Sequence, residues 1–151
     1  MRKVLGVTGI RSEYDIMSSV FQAIDDRDDL ELELIVTGAH LSDTYGHTID
    51  EIEADGFRIA DRIPSLIESD SLGARVSGLG AQLIGMVETV ARVQPDFLLV
   101  LGDREESMST ALVGAYTNVP VAHIGGGDRV VGKISLTTSP GWLSSSTICA
   151  P

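Results

Sequence analysis

Cysteine is almost absent from the sequence. The 151 residues contain one, Cys149, so no disulfide can form within the chain. No apolar run approaches the roughly 20 residues that a membrane helix needs, and the apolar stretch after Met1 is too short for the core of a signal peptide. We therefore expect a cytoplasmic protein that has no membrane partner.

Basic residues are also few. The 11 Lys and Arg stand against 22 Asp and Glu, which gives a net charge of -11 at pH 7. This balance argues against nucleic acid as a partner, so an anionic ligand would need a local basic site. The sequence also lacks the His and Cys spacings of a zinc site, the glycine fingerprint of a dinucleotide site, the phosphate-binding P-loop and the G-x-S-x-G elbow of a serine hydrolase. We predict neither a metal nor a cofactor.

Apolar residues make up 43% of the sequence, and their spacing alternates between that of strands and that of helices. Runs typical of strands occupy residues 3–8, 30–37, 57–63, 97–101 and 120–124. A helical pattern follows each of the first four strands. This alternation predicts an α/β fold with a Rossmann-like, doubly wound parallel sheet.

Two of the helical patterns predict which side chains face the core. In the first helix the predicted apolar face consists of Ile16, Val20, Phe21 and Ile24. In the longest helix, over residues 71–93, it consists of Leu72, Val76, Leu79, Leu83, Met86 and Val90.

The last segment of the chain differs in composition. Residues 133–151 are rich in Ser, Thr and Gly and contain no acidic residue, and their apolar periodicity disappears. We expect this tail to be either disordered or the product of a frameshift.

Polar or glycine-rich turns follow four of the predicted strands, at residues 9–15, 38–46, 102–104 and 123–128. In an open α/β sheet the carboxyl ends of the strands form the crevice in which ligands bind. The sequence therefore predicts a ligand site at this edge of the sheet. Arg11, in the first turn, is either a fork for phosphate oxygens or an ordinary surface arginine.

The two charged residues after the buried run 97–101 each have two interpretations. Asp103 is either a general acid or base at a strand end or the N-cap of the next helix. Arg104 is either a cation that binds a ligand or the partner of Glu105 or Glu106 in an ion pair.

Two histidines also lie at strand ends. His40 follows the second strand, and His123 is either a hydrogen-bonded core residue or a ligand contact. The glycines of segment 125–127 permit close approach of a ligand or of neighbouring chain. Asp128 is either a functional carboxylate or a turn former.

Five segments taken together resemble one family, the UDP-N-acetylglucosamine 2-epimerases, and within it the hydrolysing branch of sialic and legionaminic acid biosynthesis. The segments are VTGIRSEYD at 7–15, VTGAHL at 36–41, YGHT at 45–48, LGDR at 101–104 and HIGGGD at 123–128. The resemblance extends over residues 1–132 and implies that these form a Rossmann-like N-terminal domain. It also implies that this domain is one half of a glycosyltransferase-B-like two-domain fold.

The resemblance implies an activity without metal or nicotinamide. UDP-N-acetylglucosamine (UDP-GlcNAc), or UDP-N,N'-diacetylbacillosamine, would be hydrolysed to UDP and a free sugar of the N-acetylmannosamine type, by elimination of UDP and then addition of water. A homo-oligomer formed through the N-terminal domain is also implied. The alternative is a non-catalytic fragment that binds nucleotide weakly or pairs with another subunit.

The resemblance also assigns roles to individual residues. Catalytic roles fall on Asp103, His123 and Asp128, and contacts to the UDP-sugar fall on Arg11, Asp15, His40, Arg104, Gly125 and Gly126. The family often has a catalytic glutamate where this chain has Gly125, and we expect Asp128 to replace it.

Overall fold

One parallel sheet organises the part of the chain that the computed structural model describes, residues 1–69, 71–126 and 147–150. Its six strands lie in the order β3-β2-β1-β4-β5-β6. They are β1 (Arg2–Thr8), β2 (Leu30–Thr37), β3 (Ile59–Ile63), β4 (Phe97–Leu101), β5 (Val121–Ile124) and β6 (Thr147–Ala150). Each neighbouring pair is parallel.

Four α-helices connect the first five strands, as the alternation of periods predicted. They are α1 (Arg11–Asp25), α2 (Ile49–Ala54), α3 (Leu72–Val93) and α4 (Glu105–Thr117). Two 3-10 turns, Gly38–Leu41 and Asp43–Tyr45, lie between β2 and α2. None of the helices in the described residues is both long enough and apolar enough to cross a membrane.

The sheet is covered on both faces, which explains the continuous apolar runs of its central strands. On one face, side chains of β1 and β2 pack with Met17 and Phe21 of α1 and Ile52 of α2. On the other face, a second cluster joins β1 and β4 to Met86 and Val90 of α3. The predicted fold of alternating strands and helices is confirmed.

The predicted apolar face of α1 is partly wrong. Ile16 is 63% exposed, whereas Tyr14, Met17 and Phe21 are buried. The hydroxyl of Tyr14 donates a hydrogen bond to Asp55 Oδ2 at 2.6 Å, at the C-terminal end of α2. Tyr14 can be buried there because its polar atom has a partner.

The predicted apolar face of α3 is wrong in its first two turns. Leu72 and Val76 are 81% and 70% exposed. The buried face instead carries Ala74, Gly78 and Gln82. A Cβ atom on Gly78 would overlap the carbonyl oxygen of Ser65, so α3 approaches the segment after β3 more closely than larger side chains would allow.

The end of the tail contributes the edge strand β6. It pairs with β5 in the register His123↔Cys149. Residues 127–146 lie outside the described residues. The predicted domain boundary at residue 132 and the nature of the tail therefore stay predictions.

Candidate functional site

The strand order reverses between β1 and β4, which are hydrogen-bonded neighbours although a long stretch of chain separates them. In such sheets the loops after the two strands diverge, and ligands bind in the crevice between them. Here β1 ends at Thr8 and is followed by Gly9, and β4 ends at Leu101 and is followed by Gly102. We call the space between these two strand ends the crevice.

A buried carboxyl group from α4 lies beneath the β1 side of the crevice. Glu106 is only 6% exposed and reaches back to the strand ends at Gly9 and Gly38. A Cβ atom on Gly9 would overlap the carboxyl group of Glu106, and one on Gly38 would lie 2.9 Å from its Oε1. Glycine at these two positions makes room for the carboxyl group.

A second carboxyl group, that of Glu13 in α1, extends towards the end of β4. Glu13 Oε1 lies 2.7 Å from where a Cβ atom on Gly102 would be. Gly102 also has φ of +92°, a backbone conformation that favours glycine. The first turn of each helix thus places a glutamate at the end of the other strand.

Burial favours the protonated form of both carboxyl groups. The pKa of Glu13 is raised to about 7, chiefly by burial and next by the charge of Glu106. Burial also raises the pKa of Glu106. Arg104 Nε lies 3.9 Å from Glu106 Oε2, but this oxygen has no hydrogen-bond partner within the described residues. Glu13 can therefore hold a proton near neutral pH.

Neither Glu13 nor Glu106 is among the site residues predicted from the sequence. The ion pair of Arg104 with Glu106, one of the two interpretations of Arg104, is present at 3.9 Å. Their position in the sequence could have indicated both residues, because each glutamate lies in the first turn of a helix that follows a predicted strand end.

The first two turns of α1 carry the exposed residues Arg11 and Asp15. Arg11 Nε lies 3.9 Å from Asp15 Oδ2 and 3.5 Å from Glu51 Oε2. Arg11 is 60% exposed, so its guanidinium remains accessible to an anion. Both residues therefore follow the end of β1, and Arg11 contacts α2 through Glu51.

Asp103 and Arg104 follow β4 directly, and both are exposed. The N-cap of α4 is Arg104 rather than Asp103, and its side chain makes no capping hydrogen bond. The interpretation of Asp103 as the cap of this helix is therefore wrong. Arg11 and Arg104 accordingly follow the ends of the two strands that border the crevice.

His123 lies at the end of β5 and is buried. Its Nε2 donates a hydrogen bond to the carbonyl oxygen of Gly102 at 2.6 Å, which fixes the turn after β4. A Cβ atom on Gly126 would lie 2.7 Å from the ring, so this glycine lets the backbone approach the histidine. Neighbouring Gly125 has φ of +73°. Asp128 lies outside the described residues.

His40 is fully buried between β1 and α2. Its Nε2 lies 3.0 Å from Thr8 Oγ1, and its Nδ1 lies 2.7 Å from Thr48 Oγ1. Burial lowers the pKa of His40 to about 4, so the ring is neutral at pH 7. Both ring nitrogens are engaged, which makes His40 a link between β1 and α2. The substrate and catalytic roles assigned to the site residues stay predictions.

The strand order and the crevice at its reversal define a Rossmann-like α/β unit of the glycosyltransferase-B type, as predicted. A solved structure of UDP-GlcNAc 2-epimerase from Neisseria meningitidis, bound to UDP-GlcNAc, superposes with a TM-score of 0.70 at 20% identity. The match covers 86% of this chain and 34% of that one.

Sequence comparison identifies the family. The profile of the UDP-N-acetylglucosamine 2-epimerase family matches residues 22–135. The hydrolysing UDP-N,N'-diacetylbacillosamine 2-epimerase of Legionella pneumophila is 36% identical over 129 residues, which cover 85% of this chain and 34% of that protein. The hydrolysing GDP/UDP-N,N'-diacetylbacillosamine 2-epimerase of Campylobacter jejuni is 32% identical over 133 residues, 88% of this chain and 34% of that protein.

The chain belongs to the UDP-N-acetylglucosamine 2-epimerase family, as the five sequence segments predicted. It spans about a third of the length of the curated relatives that it matches.

Proposed function

We propose that the crevice binds the diphosphate of a UDP-sugar, and that the chain forms one wall of the active site of a hydrolysing 2-epimerase. Its substrate would be UDP-GlcNAc or UDP-N,N'-diacetylbacillosamine. The observation that carries this proposal is the combination of two exposed arginines with a carboxyl group of pKa about 7 at one topological switch point. Family membership supports it.

Diphosphate binding needs positive charge that the protein as a whole does not supply, since its net charge is -11. Arg11 and Arg104 supply that charge locally, and a guanidinium can donate two parallel hydrogen bonds to phosphate oxygens. The free backbone N–H groups at the start of α1 add to the attraction for an anion, because α1 is a full helix of 15 residues.

The proposed reaction has two steps. A base removes the proton from sugar C2 while the bond from C1 to the diphosphate oxygen breaks, which releases UDP and leaves a glycal. Water then adds its hydroxyl to C1, and C2 gains a proton on the opposite face, which gives the epimeric free sugar. The arginines neutralise the charge that develops on the departing diphosphate.

Two carboxyl groups are suited to the proton transfers. Asp103 is exposed beside the crevice, and we assign it the proton transfer that the family resemblance implies. Glu13, whose pKa is about 7, both accepts and donates a proton readily at neutral pH.

Nucleotide binding is tested first, by NMR titration of the chain with UDP. We expect UDP to shift backbone signals of the turns after β1 and β4, and Arg104→Gln to weaken binding about tenfold, as expected for the loss of one charge-assisted contact. Arg58→Gln is the matched control, since this exposed arginine pairs with Glu31 near the start of β3, away from the crevice. Equal weakening by both variants would contradict the proposal.

Catalysis is tested separately, by incubating the chain with each UDP-sugar and measuring UDP release. Release that Asp103→Asn abolishes would support catalysis by this chain. Binding of UDP without release would favour the alternative, a nucleotide-binding module that needs further protein for catalysis or that pairs with another copy. The share of the relatives' length that the chain spans, about a third, favours this alternative for the chain alone.

A further inference from the structure

The turn between β4 and α4 is held from two sides through one carbonyl group. The carbonyl oxygen of Gly102 accepts a hydrogen bond from His123 Nε2 at 2.6 Å and another from Ser107 Oγ at 2.9 Å. His123 belongs to β5, whereas Ser107 lies in the first turn of α4. A carbonyl oxygen has two lone pairs, so both of its acceptor positions are used within the protein.

The backbone on either side of this carbonyl group is restrained as well. The N–H group of Gly102 donates to the carbonyl oxygen of Ile124 at 3.1 Å, which continues the pairing of β4 with β5. Ser107 Oγ also lies 3.1 Å from the carbonyl oxygen of Leu101. Gly102 has φ of +92°, so the chain changes direction here. The backbone that leads into residues 103–104 is therefore fixed by partners in β5 and α4.

The ring of His123 is enclosed between the turn and the chain that follows β5. His123 is 6% exposed, and a Cβ atom on Gly126 would lie 2.7 Å from its Cγ and Nδ1. Its Nε2 is already bonded to Gly102, so a ligand in the crevice could reach this nitrogen only if that bond broke. The geometry therefore favours a role for His123 in holding the turn over a direct contact with a ligand.

The start of α4 depends on the same turn. Its N-cap, Arg104, makes no capping hydrogen bond through its side chain, and Ser107 instead connects the helix to the end of β4. The side chains of Asp103 and Arg104 are nevertheless exposed. A fixed backbone that carries accessible side chains is pre-organised for binding, because less conformational entropy is lost when a ligand binds.

We propose that His123 and Ser107 are positioning residues, which hold the carbonyl group of Gly102 and thereby place Arg104 for the diphosphate and Asp103 for the sugar. This inference rests on the proposed function, because the position of the turn affects affinity only if Arg104 binds the diphosphate. His123 then acts through the turn and does not itself exchange a proton with the substrate.

The first test concerns the ring of His123 in the unmodified chain. A carbonyl oxygen can only accept a hydrogen bond, so the neutral ring must carry its proton on Nε2. We expect ¹⁵N NMR of the imidazole to show this tautomer, with a ring proton that exchanges slowly with water. A neutral ring that carries its proton on Nδ1 would overturn the inference. This measurement does not depend on whether any variant folds.

The second test compares dissociation constants for UDP, measured by NMR titration. We expect His123→Leu and Ser107→Ala each to weaken binding about fivefold, as the loss of one hydrogen bond does. His123→Gln, whose side-chain amide can donate to the same carbonyl oxygen, should restore most of the affinity lost in His123→Leu. Ser109→Ala is the matched control for Ser107→Ala and should leave the affinity unchanged, because this buried hydroxyl donates to the carbonyl oxygen of Glu106 within α4.

A double variant separates positioning from direct contact. In a chain that already carries Arg104→Gln, His123→Leu should change the dissociation constant by less than about twofold, because His123 acts through Arg104. An undiminished loss in that background, or equal losses in His123→Gln and His123→Leu, would overturn the positioning role in favour of a direct contact between the ring and the nucleotide.

The remaining outcomes distinguish this inference from the proposed function. Unchanged affinity in both His123→Leu and Ser107→Ala, with weaker binding in Arg104→Gln, would overturn the positioning role alone. Absence of UDP binding by the unmodified chain would overturn the proposed function and the positioning role together.

Discussion

Replacing Glu13 by glutamine should change how the stability of the protein depends on pH. In the folded protein the pKa of Glu13 is about 7, against an ordinary value of 4.5, chiefly because the carboxyl group is buried. Between these two pH values the folded chain keeps a proton that the unfolded chain has lost. The free energy of unfolding contributed by this group therefore falls as the pH rises from 4.5 to about 7.

The expected magnitude follows from the two pKa values. A difference of about 2.5 between them corresponds to at most about 3.4 kcal/mol at 1.36 kcal/mol for each pH unit. Because Glu13 is partly exposed, solvent screening reduces the expected effect to about 1–2 kcal/mol. The variant Glu13→Gln cannot ionise, so it should lose this part of the fall in stability.

The assay is urea unfolding followed by circular dichroism at pH 5 and pH 8. We expect the difference in unfolding free energy between the two pH values to be about 1–2 kcal/mol smaller in Glu13→Gln than in the unmodified protein. Glu88→Gln, at an exposed position on α3, should leave the difference unchanged. A difference of the same size in Glu13→Gln and the unmodified protein would refute the reasoning that burial and Glu106 hold a proton on Glu13.

Two further predictions concern the packing around the crevice. Gly9→Ala should destabilise the protein by about 1–3 kcal/mol in urea unfolding, because the new Cβ atom would overlap Glu106. Gly73→Ala, where a Cβ atom meets nothing within 4 Å, should not destabilise, and equal losses in both variants would contradict the overlap. The unfolding free energy should also fall by up to about 3 kcal/mol as the pH drops from 6.5 to about 4, because the buried ring of His40 must remain neutral while the unfolded chain takes up a proton. His40→Gln should lack this fall, whereas His47→Gln, at a partly exposed position, should keep it. A fall that persists in His40→Gln would exclude His40 as its source.

The sequence predicted the fold well because the signals were local. The buried run of β4 and the glycine turns at strand ends depend only on neighbouring residues. The crossing of Glu13 and Glu106 could not be predicted in the same way, since it requires β1 and β4 to be adjacent, and periodicity does not specify strand order. The buried face of α3 was predicted wrongly for a different reason. The helical pattern selects the largest apolar residues, whereas the small residue Gly78 determines which face of α3 packs against the segment after β3.

Burial of the Glu13 and Glu106 carboxyl groups disfavours their ionised forms, and this cost suggests why the arrangement exists. A glutamine at position 13 or 106 would avoid the cost of burying an ionisable group. Single substitutions that stabilise a natural protein are easy to find, so such a change would be accessible. A carboxyl group of pKa about 7 is, however, what proton transfer at neutral pH requires. Glu13 lies at the switch point of the sheet, near Arg104. Under the proposed function, the burial that disfavours its ionised form therefore keeps a proton beside the diphosphate site.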